Sequence, residues 1–305
     1  MKFSVAIPAY RPDFFVEALD SVVSQTWQDW ELVVVDDCSP SDLRSLVLPF
    51  LKDSRVHFYR NDRNFGALDV VDNWNRCLEY CSGDYVICMG DDDRLLPGCL
   101  AALAELIRKH PGLGIYHSRT QIIDAQGNVK QTLEERPELE SSVGMIRARW
   151  AGRSQYIGDF CFDASLLKKN GGFIKFPLAW GSDDISAYIA AKGDGPDIPD
   201  GIANCNEPGF QYRESGITIS SGAVYRQKLE SLLSCADWFR ADFLSRGEDT
   251  AELEAKFRDF AGYYVRKDAS VAPGAVFYWL KRRKATRLGA METIWLCMKG
   301  MITRR

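Results

Sequence analysis

Short apolar runs rich in β-branched residues alternate with longer stretches of helical spacing over the first 120 residues. Each run is four or five residues long, the length of a buried strand. The segments between them carry apolar side chains every three or four residues, and the first follows the start signal Pro12-Asp13. The predicted strands are Phe3–Ile7, Glu31–Val35, Val56–Tyr59, Tyr85–Met89 and Gly114–His117.

This alternation predicts an α/β fold with a mostly parallel central sheet covered by helices. After the fifth predicted strand, this regular alternation of strand and helix patterns ends. Residues 124–128 read as a hairpin turn, residues 133–142 as an exposed loop and residues 193–208 as a turn-rich segment. From about residue 221 the pattern predicts helices alone. We therefore expect an α/β domain over residues 1–220 and a C-terminal helical extension over residues 221–305.

Composition narrows the class of protein without changing this picture. The chain has 305 residues, 46% of them apolar, and a net charge of -4, which favours a folded protein and disfavours a nucleic-acid-binding one. The nine cysteines are odd in number and lack zinc or redox spacing, so we expect reduced thiols. No signal peptide and no apolar run of about 18 residues is apparent, which predicts a cytoplasmic location.

Acidic residues follow two of the predicted strands. Asp36 and Asp37 come after the second strand, and Asp91, Asp92 and Asp93 come after the fourth. Ligands in parallel sheets bind beyond the carboxyl ends of the strands, so these five carboxylates are expected at one edge. Because like charges repel, such a cluster needs a cation or hydrogen-bond donors. Oxygen-rich ligation without thiolates favours Mg²⁺ or Mn²⁺.

Turn formation is the competing interpretation of these acids. An Asp-Asp pair after a strand commonly accepts local backbone N–H groups, and this interpretation is the better one for Asp36 and Asp37 taken alone. It explains one carboxylate of Asp91–Asp93 but not three, so a binding site is favoured there.

Seven short motifs also occur in one order along residues 1–220. They are Ser4-Val-Ala-Ile-Pro-Ala-Tyr, Leu32-Val-Val-Val-Asp-Asp-Cys-Ser-Pro, Asn64-Phe-Gly-Ala, Asp91-Asp-Asp, Gly171-Gly-Phe, Ser182-Asp-Asp and Tyr212-Arg213. Together they resemble the family 2 inverting glycosyltransferases of bacterial polysaccharide biosynthesis. The resemblance implies a GT-A fold with a Rossmann-like sheet, a nucleotide-sugar donor, and a DXD motif at the three aspartates.

The resemblance implies a donor pocket at the strand ends. Asp37 would accept a hydrogen bond from the nucleotide base, which is uracil for a UDP-sugar, with Asp36 beside it. Asp92 or Asp91 would meet the ribose and the diphosphate, and Arg213 would lie over the diphosphate. The remaining positions implied in this pocket are Pro8, Tyr10 and Asp62.

The resemblance also implies the metal and the base. Asp93, with Asp92, would hold Mn²⁺ or Mg²⁺, and Asp184 would be the general base, with Asp183 as the alternate. From the residues alone, Asp183 and Asp184 are equally an N-cap pair for the helix that follows. Two positions depart from the family pattern: Arg11 stands where Asn is usual, and Asp183 stands where Glu is usual.

The end of the chain is basic and aromatic. Residues 277–305 hold eight basic residues against one acidic residue. A basic amphipathic helix here indicates either attachment to a membrane surface, with Trp279, Trp295 and Met298 inserted, or a helix packed on the core with a solvated face. Lipid-linked saccharides, which the resemblance implies as acceptors alongside free saccharides, favour a peripheral location at the inner face of the membrane.

Two other functions remain open at this level. A nucleotidyltransferase that makes nucleotide sugars shares the sheet and the acidic ligands, although it usually has a glycine-rich basic loop where this chain has Pro8-Ala-Tyr-Arg-Pro. A non-catalytic sugar-binding module of the same fold is the second. Dinucleotide oxidoreductases and P-loop NTPases are disfavoured, because no GxGxxG follows the first strand and no Gly-Lys pair occurs.

Overall fold

The computed structural model describes residues 1–215, 225–272 and 274–302. The chain forms two compact units, one of residues 1–175 and 182–218 and one of residues 176–181 and 219–305. The first is called the sheet unit and the second the helical unit. The domain boundary expected at residues 220 and 221 lies outside the described residues.

Ten strands form one sheet in the sheet unit. They are β1 (Phe3–Ala9), β2 (Trp30–Asp36), β3 (Val56–Arg60), β4 (Tyr85–Cys88), β5 (Arg94–Leu95), β6 (Ile115–Ile123), β7 (Val129–Thr132), β8 (Leu139–Glu140), β9 (Phe160–Asp163) and β10 (Ile202–Arg213). The order is β3-β2-β1-β4-β9-β6-β10-β5, with β7 paired to β6 and β8 paired to β10.

Helices flank this sheet. They are α1 (Phe15–Val23), α2 (Leu43–Val47), α3 (Val70–Tyr80), α4 (Cys99–Lys109), α5 (Ser142–Trp150), α6 (Ala164–Lys169) and α7 (Ser182–Lys192). Every residue of β2 is buried, because a parallel strand covered on both faces needs a continuous apolar run. The four strands β3, β2, β1 and β4 pair in parallel, so the α/β fold predicted from the sequence is confirmed.

The parallel register brings the predicted strand ends together. Ala9 of β1 pairs with Asp36 of β2, and Asp36 pairs in turn with Arg60 of β3. On the other side of β1, Ala6 pairs with Cys88, the last residue of β4. The acidic turns that follow β2 and β4 therefore flank the end of β1.

Strand β10 corrects the prediction of a turn-rich segment. Residues 202–208 belong to a strand that runs parallel to β6, with register shifts on either side of Pro208. Proline has no N–H to donate, and a bulge is where a strand tolerates it. The next residue, Gly209, packs so closely that a Cβ would lie 2.1 Å from Ser118 Oγ. The proline and glycine that suggested turns thus mark an irregular strand.

The predicted hairpin turn agrees with the structure, whereas the predicted exposed loop after it agrees only in part. The predicted turn at residues 124–128 joins β6 to β7, and the Asp124 carboxylate accepts the N–H groups of Gln126 and Asn128. The stretch 133–142 is only partly the exposed loop that was expected. Leu133 and Arg136 are buried within it, and residues 139–140 form β8.

The helical unit is formed mainly by α-helices. They are α8 (Tyr225–Ser245), α9 (Ala251–Val271), α10 (Ala275–Lys281), α11 (Arg283–Thr286) and α12 (Ala290–Ile302). Trp279 is fully buried in its core, and its Nε1–H donates to Asp268 at 2.8 Å. The expectation that Trp279 inserts into a membrane is therefore wrong. Within the described ranges, no helix is both long and apolar enough to cross a membrane.

Candidate active site

The turn after β4 is tied to the end of β1 through Asp91. Its Oδ2 accepts the backbone N–H groups of Tyr10 and Arg11, both at 2.7 Å. Burial raises the pKa of Asp91 to about 6, and the two N–H donors oppose that shift. The turn of residues 90–93, which follows β4, is called the acidic turn. Asp91 therefore fixes the position of the acidic turn, and one of its two carboxylate oxygens is already bonded to the backbone.

Asp92 and Asp93 point towards the same small space beside Gly90. A Cβ added to Gly90 would lie 2.8 Å from Asp93 Oδ2 and 3.0 Å from Asp92 Oδ1. Burial, and then the neighbouring charge of Asp92, raises the pKa of Asp93 well above its ordinary value, and burial raises the pKa of Asp92. Two carboxylates held this close are costly when both are ionised, and a cation between them would remove the cost.

The space beside Gly90 that Asp92 and Asp93 face is called the cradle. It fits a hard divalent cation that takes its other ligands from a substrate. Carboxylate oxygens suit Mg²⁺ and Mn²⁺, and Mg²⁺ commonly binds one or two protein carboxylates together with phosphates and water. Across the described residues, no group of three or more His, Cys, Asp or Glu side chains is arranged to hold a metal ion. Any cation here would thus depend on Asp92, Asp93 and non-protein ligands.

Arg213 holds the acidic turn in place through hydrogen bonds. Its backbone N–H donates to Asp93 Oδ1 at 2.9 Å, and its Nε donates to the backbone oxygen of Asp92 at 2.8 Å. Its Nη1 donates to the backbone oxygen of Ala125, and its Nη2 pairs with Glu17. The residue is fully buried with every guanidinium nitrogen engaged, so in this structure it does not reach out to a diphosphate.

Asp36 and Asp37, the acidic pair that follows β2, form hydrogen bonds with other residues of the protein. Asp36 is fully buried, accepts the N–H of Ser39 at 2.7 Å and pairs with Arg60. Asp37 accepts side-chain amide hydrogens from Asn61 and Asn64 and backbone N–H groups from residues 65 and 66. Both carboxylates therefore hold turns here, as the competing interpretation of this pair proposed. A nucleotide base would have to displace hydrogen bonds of Asp37.

The other implied donor-pocket residues lie nearby without forming a closed pocket. Tyr10 is 43% exposed at the end of β1, and its backbone oxygen accepts from Ser39 Oγ at 2.6 Å. Pro8 is half-buried and pairs in register with Val35. Asp62 is exposed on the loop that Asp37 holds. Their contact with a donor stays a prediction.

A small cleft opens beside the acidic turn. It is lined by Arg11, Asp13, Phe14, Asp91, Asp92 and Ser215. The charge of Arg11 opposes the burial-induced rise in the pKa of Asp91 and Asp92. Among the described residues, no carboxylate pairs with the Arg11 guanidinium. The position that departs from the family pattern therefore places a cation beside the candidate metal ligands.

Asp184 lies in the first turn of α7 with one oxygen held and one open. Its Oδ1 accepts from Arg149 Nε at 2.9 Å and from Gln155 Nε2 at 2.8 Å. No donor from the described part of the chain reaches its Oδ2. The charge of Asp184 holds the pKa of Arg149 well above its usual range. This geometry orients a single free carboxylate oxygen.

Asp183 differs from its neighbour in environment. It is the second residue of α7, and its Oδ1 accepts the backbone N–H of the next residue, Asp184, at 2.9 Å. Burial, and then the charge of Asp184, raises the pKa of Asp183 to about 7. Asp183 is therefore less readily ionised than an ordinary aspartate. Because α7 begins at Ser182, Asp183 and Asp184 lie inside its first turn, and neither occupies the N-cap position that was expected of the pair.

Two stacked tyrosines lie near the acidic residues that follow β4. Tyr156 and Tyr212 stack with ring centroids 4.0 Å apart and planes 16° apart. Tyr156 follows Gln155 in the chain, and Tyr212 precedes Arg213. Burial raises the pKa of Tyr156 to about 12, and the charges of nearby acids including Asp93 add to the shift. The charge of Asp93 acts on Tyr212 as well, so both rings lie near the acidic residues that follow β4.

Sequence reasoning missed Arg149, Gln155 and Tyr156. They are 35, 29 and 28 positions before Asp184, in a segment without a motif. The one available signal was the clustering of polar and aromatic residues in Arg153-Ser-Gln-Tyr, which alone points to no particular chemistry.

A model of the family described as Glycosyl transferase family 2 matches residues 4–170. The chain belongs to this family. The resemblance drawn from the motifs is therefore confirmed, and with it the expectation of a glycosyltransferase. The matched segment contains the acidic turn and Arg149, while Asp184 and Arg213 lie after it.

Several curated proteins match part of the chain. A Campylobacter jejuni protein named GalNAc(5)-diNAcBac-PP-undecaprenol beta-1,3-glucosyltransferase is 33% identical over 158 residues, covering 50% of this chain and 49% of the relative. Escherichia coli WfgD, a UDP-Glc:alpha-D-GlcNAc-diphosphoundecaprenol beta-1,3-glucosyltransferase, is 35% identical over 91 residues, covering 30% of this chain and 34% of the relative. The chain thus spans less than half the length of these curated relatives.

Solved structures share the fold over nearly the whole chain. TarS 1-349 of Staphylococcus aureus, in complex with UDP-GlcNAc, superposes with a TM-score of 0.66 at 19% identity and covers 100% of this chain and 92% of that one. The mannosyltransferase PcManGT of Pyrobaculum calidifontis, with GDP-Man and Mn²⁺, has a TM-score of 0.52 at 17% identity and covers 99% and 86%. At these identities the likeness concerns the fold alone, and the GT-A fold expected of family 2 is confirmed.

Proposed function

We propose that this chain is a metal-dependent inverting glycosyltransferase. It moves a sugar from a nucleotide-diphosphate donor, with a UDP-sugar favoured, to a saccharide or a lipid-linked saccharide. The observation that carries the proposal is the pair of carboxylates, Asp92 and Asp93, that share the space beside Gly90 while Asp184 presents one free oxygen elsewhere in the sheet unit. The UDP-linked and undecaprenol-linked names of the relatives support the donor and acceptor classes.

Asp93 and Asp92 are the residues that would hold Mn²⁺ or Mg²⁺. When bound, such a cation neutralises the negative charge that develops on a leaving nucleoside diphosphate. A solved neighbour that holds GDP-Man together with Mn²⁺ supports this assignment. The remaining steps belong to side chains of this protein.

Arg11 supplies the fixed positive charge that Arg213 does not present. Its guanidinium lines the cleft beside Asp91 and Asp92, whereas Arg213 is fully buried. A cationic side chain there stabilises the diphosphate oxygens as the sugar–phosphate bond breaks. Arg213 acts by holding Asp92 and Asp93 in place.

Asp184 is the general base. Its free Oδ2 accepts the proton of the attacking hydroxyl, while Arg149 and Gln155 keep Oδ1 fixed. Attack on the anomeric carbon from the face opposite the diphosphate inverts the configuration, and the transition state resembles an oxocarbenium ion. The base must therefore act from the side of the sugar opposite the diphosphate, and we assign that role to Asp184.

Gln155 provides a test of how Asp184 is positioned. Gln155→Ala is expected to lower kcat about 10- to 100-fold with little change in KM, because the free oxygen loses its alignment. Gln155→Glu removes the same donor and places a second carboxylate beside Asp184, so it is expected to lower kcat at least as much as Gln155→Ala. Steady-state kinetics of nucleotide release measure both effects. A raised KM at unchanged kcat would instead make Gln155 a substrate-binding residue.

A nucleotide screen tests the donor class. Thermal unfolding is followed with UDP, GDP, ADP, CDP and uridine, each with and without Mn²⁺, and UDP with Mn²⁺ is expected to raise Tm most. Arg11→Asn is expected to shrink the shift produced by UDP and leave the small shift produced by uridine, since Arg11 meets the diphosphate. No stabilisation by any diphosphate would reject the proposal, and binding without transfer or donor hydrolysis would favour the non-catalytic module.

The domain organisation and the cellular location follow as proposals. We assign transfer to residues 1–220 and the helical extension to residues 221–305, in a cytoplasmic protein that works peripherally at the inner face of the membrane. Lipid-linked acceptors of the kind named for the relatives would require such a location.

A further inference from the structure

Helix α12 packs on α9 through small side chains. The buried positions of α12 are Thr293, Cys297 and Gly300, which recur at intervals of four and three residues along one face. A Cβ at Gly300 would lie only 2.1 Å from the backbone oxygen of Arg266 in α9. The two helices are therefore in close backbone contact, and the large side chains of α12 are left to its other faces.

The outer face of α12 is apolar. Met291, Trp295, Met298 and Ile302 are 79%, 53%, 53% and 72% exposed, and their spacing of four, three and four residues places them along one line. These four residues are called the α12 stripe. A surface helix in water normally buries its large apolar side chains, and a contiguous exposed patch of them commonly marks an interaction site.

Basic residues occur on α12 and on the two helices that precede it in the chain. Lys299 Nζ lies 3.7 Å from the ring centre of Trp295. Lys281, Arg283 and Lys284 are exposed on α10 and α11, and within the described ranges none of them pairs with a carboxylate. Lysine and tryptophan together suit the boundary between lipid headgroups and acyl chains, where one is hydrated and the other half-buried.

We infer that the α12 stripe inserts into the surface of an anionic lipid bilayer. The apolar side chains enter the headgroup–acyl boundary, and the exposed Lys281, Arg283 and Lys284 attract the negative headgroups. A second copy of this chain is the weaker occupant, because two such faces meeting about a twofold axis would bring like charges together. The inference rests on the peripheral location in the proposed function and names the surface that would provide it, but it uses no residue of the candidate active site.

Co-sedimentation of the full chain with vesicles tests the inference. Two compositions are used, phosphatidylcholine alone and phosphatidylcholine mixed with phosphatidylglycerol. The protein is expected to pellet with the mixed vesicles and to remain largely in solution with phosphatidylcholine. The stripe variant Trp295→Gln/Met298→Gln is expected to weaken binding to the mixed vesicles at least about tenfold, because two apolar anchors are lost.

A charge variant and a control variant complete the design. Lys281→Gln/Arg283→Gln/Lys284→Gln is expected to lose roughly 100-fold in binding to the mixed vesicles, from about fivefold for each basic residue near an anionic surface. Leu244→Gln is the control, since Leu244 is 60% exposed on α8, outside the stripe, and should bind as the wild type does. All the changes are on exposed positions, so Tm should be unaltered.

Three results would overturn the inference. One is equal pelleting of the wild type with both vesicle compositions, and another is unchanged pelleting of the stripe variant. The third is a vesicle-independent dimer in sedimentation equilibrium that the stripe variant abolishes, since the α12 stripe would then be a contact between copies. A transferase that is active on a soluble acceptor but fails these tests would leave the proposed function standing without the membrane surface.

Discussion

Asp184→Asn is expected to lower the rate of sugar transfer by about 10²- to 10⁴-fold and to leave donor binding unchanged. The substitution keeps the shape of the side chain, and its amide oxygen can still accept from Arg149 and Gln155 in place of Oδ1. The amide group that replaces the free Oδ2 cannot take up a proton. The loss should therefore fall on the chemical step alone.

The measurement combines initial rates of transfer with calorimetric titration of UDP in the presence of Mn²⁺. Asp183→Asn is the matched control, because Asp183 accepts a backbone N–H and burial already disfavours its ionised form. It should retain most of the activity. If Asp183→Asn is inactive and Asp184→Asn is active, the roles of the two residues are exchanged. If both variants keep full turnover, the base lies elsewhere in the chain.

The strands of the parallel half could be predicted because their cause is local. A buried parallel strand needs a continuous apolar run, and β1, β2 and β4 each have one. Strand β10 has no such run: Asn204, Asn206, Pro208 and Gly209 lie inside it. Its pairing with β6 is decided by tertiary contacts around a bulge, which local propensity does not encode.

The acidic turn could be predicted for the same reason, since three adjacent aspartates after a strand exceed what a turn requires. The residues that contact each aspartate in the folded chain, and so decide its role, could not be predicted. Glu17 and Arg213 meet across 196 positions, so nothing near Arg213 in the sequence indicates that its guanidinium is buried. The same applies to Arg149 and Gln155, whose relation to Asp184 exists only in the folded chain.

For Asp37, the family resemblance and the local sequence pattern predict different roles. The resemblance gives it a nucleotide base to bind, whereas its immediate sequence suggests a turn. In the structure its carboxylate accepts from the loop of residues 61–66. The two functions are compatible only if a donor exchanges places with some of these bonds, so a bound nucleotide should alter the environment of Asn61 and Asn64.

Asp93→Asn is expected to remove the contribution of Mn²⁺ to nucleotide binding. In the presence of the metal, UDP affinity should fall on the order of 100-fold, since even outer-shell changes around metal ligands cost 10- to 100-fold. Without metal, the variant and the wild type should bind UDP equally. The amide oxygen can still accept the backbone N–H of Arg213, and the repulsion with Asp92 is removed, so the variant should fold at least as stably as the wild type.

Calorimetric titration of UDP with and without Mn²⁺ separates these effects, and Asp93→Ala should behave in the same way. Asp13→Asn is the matched control, because Asp13 is an exposed acid that lines the same cleft without facing Gly90. An equal loss with and without Mn²⁺ would make Asp93 a direct nucleotide contact or a structural group. A loss in Asp13→Asn as large as in Asp93→Asn would mean that the general negative charge of the cleft, and not the cradle beside Gly90, attracts the cation.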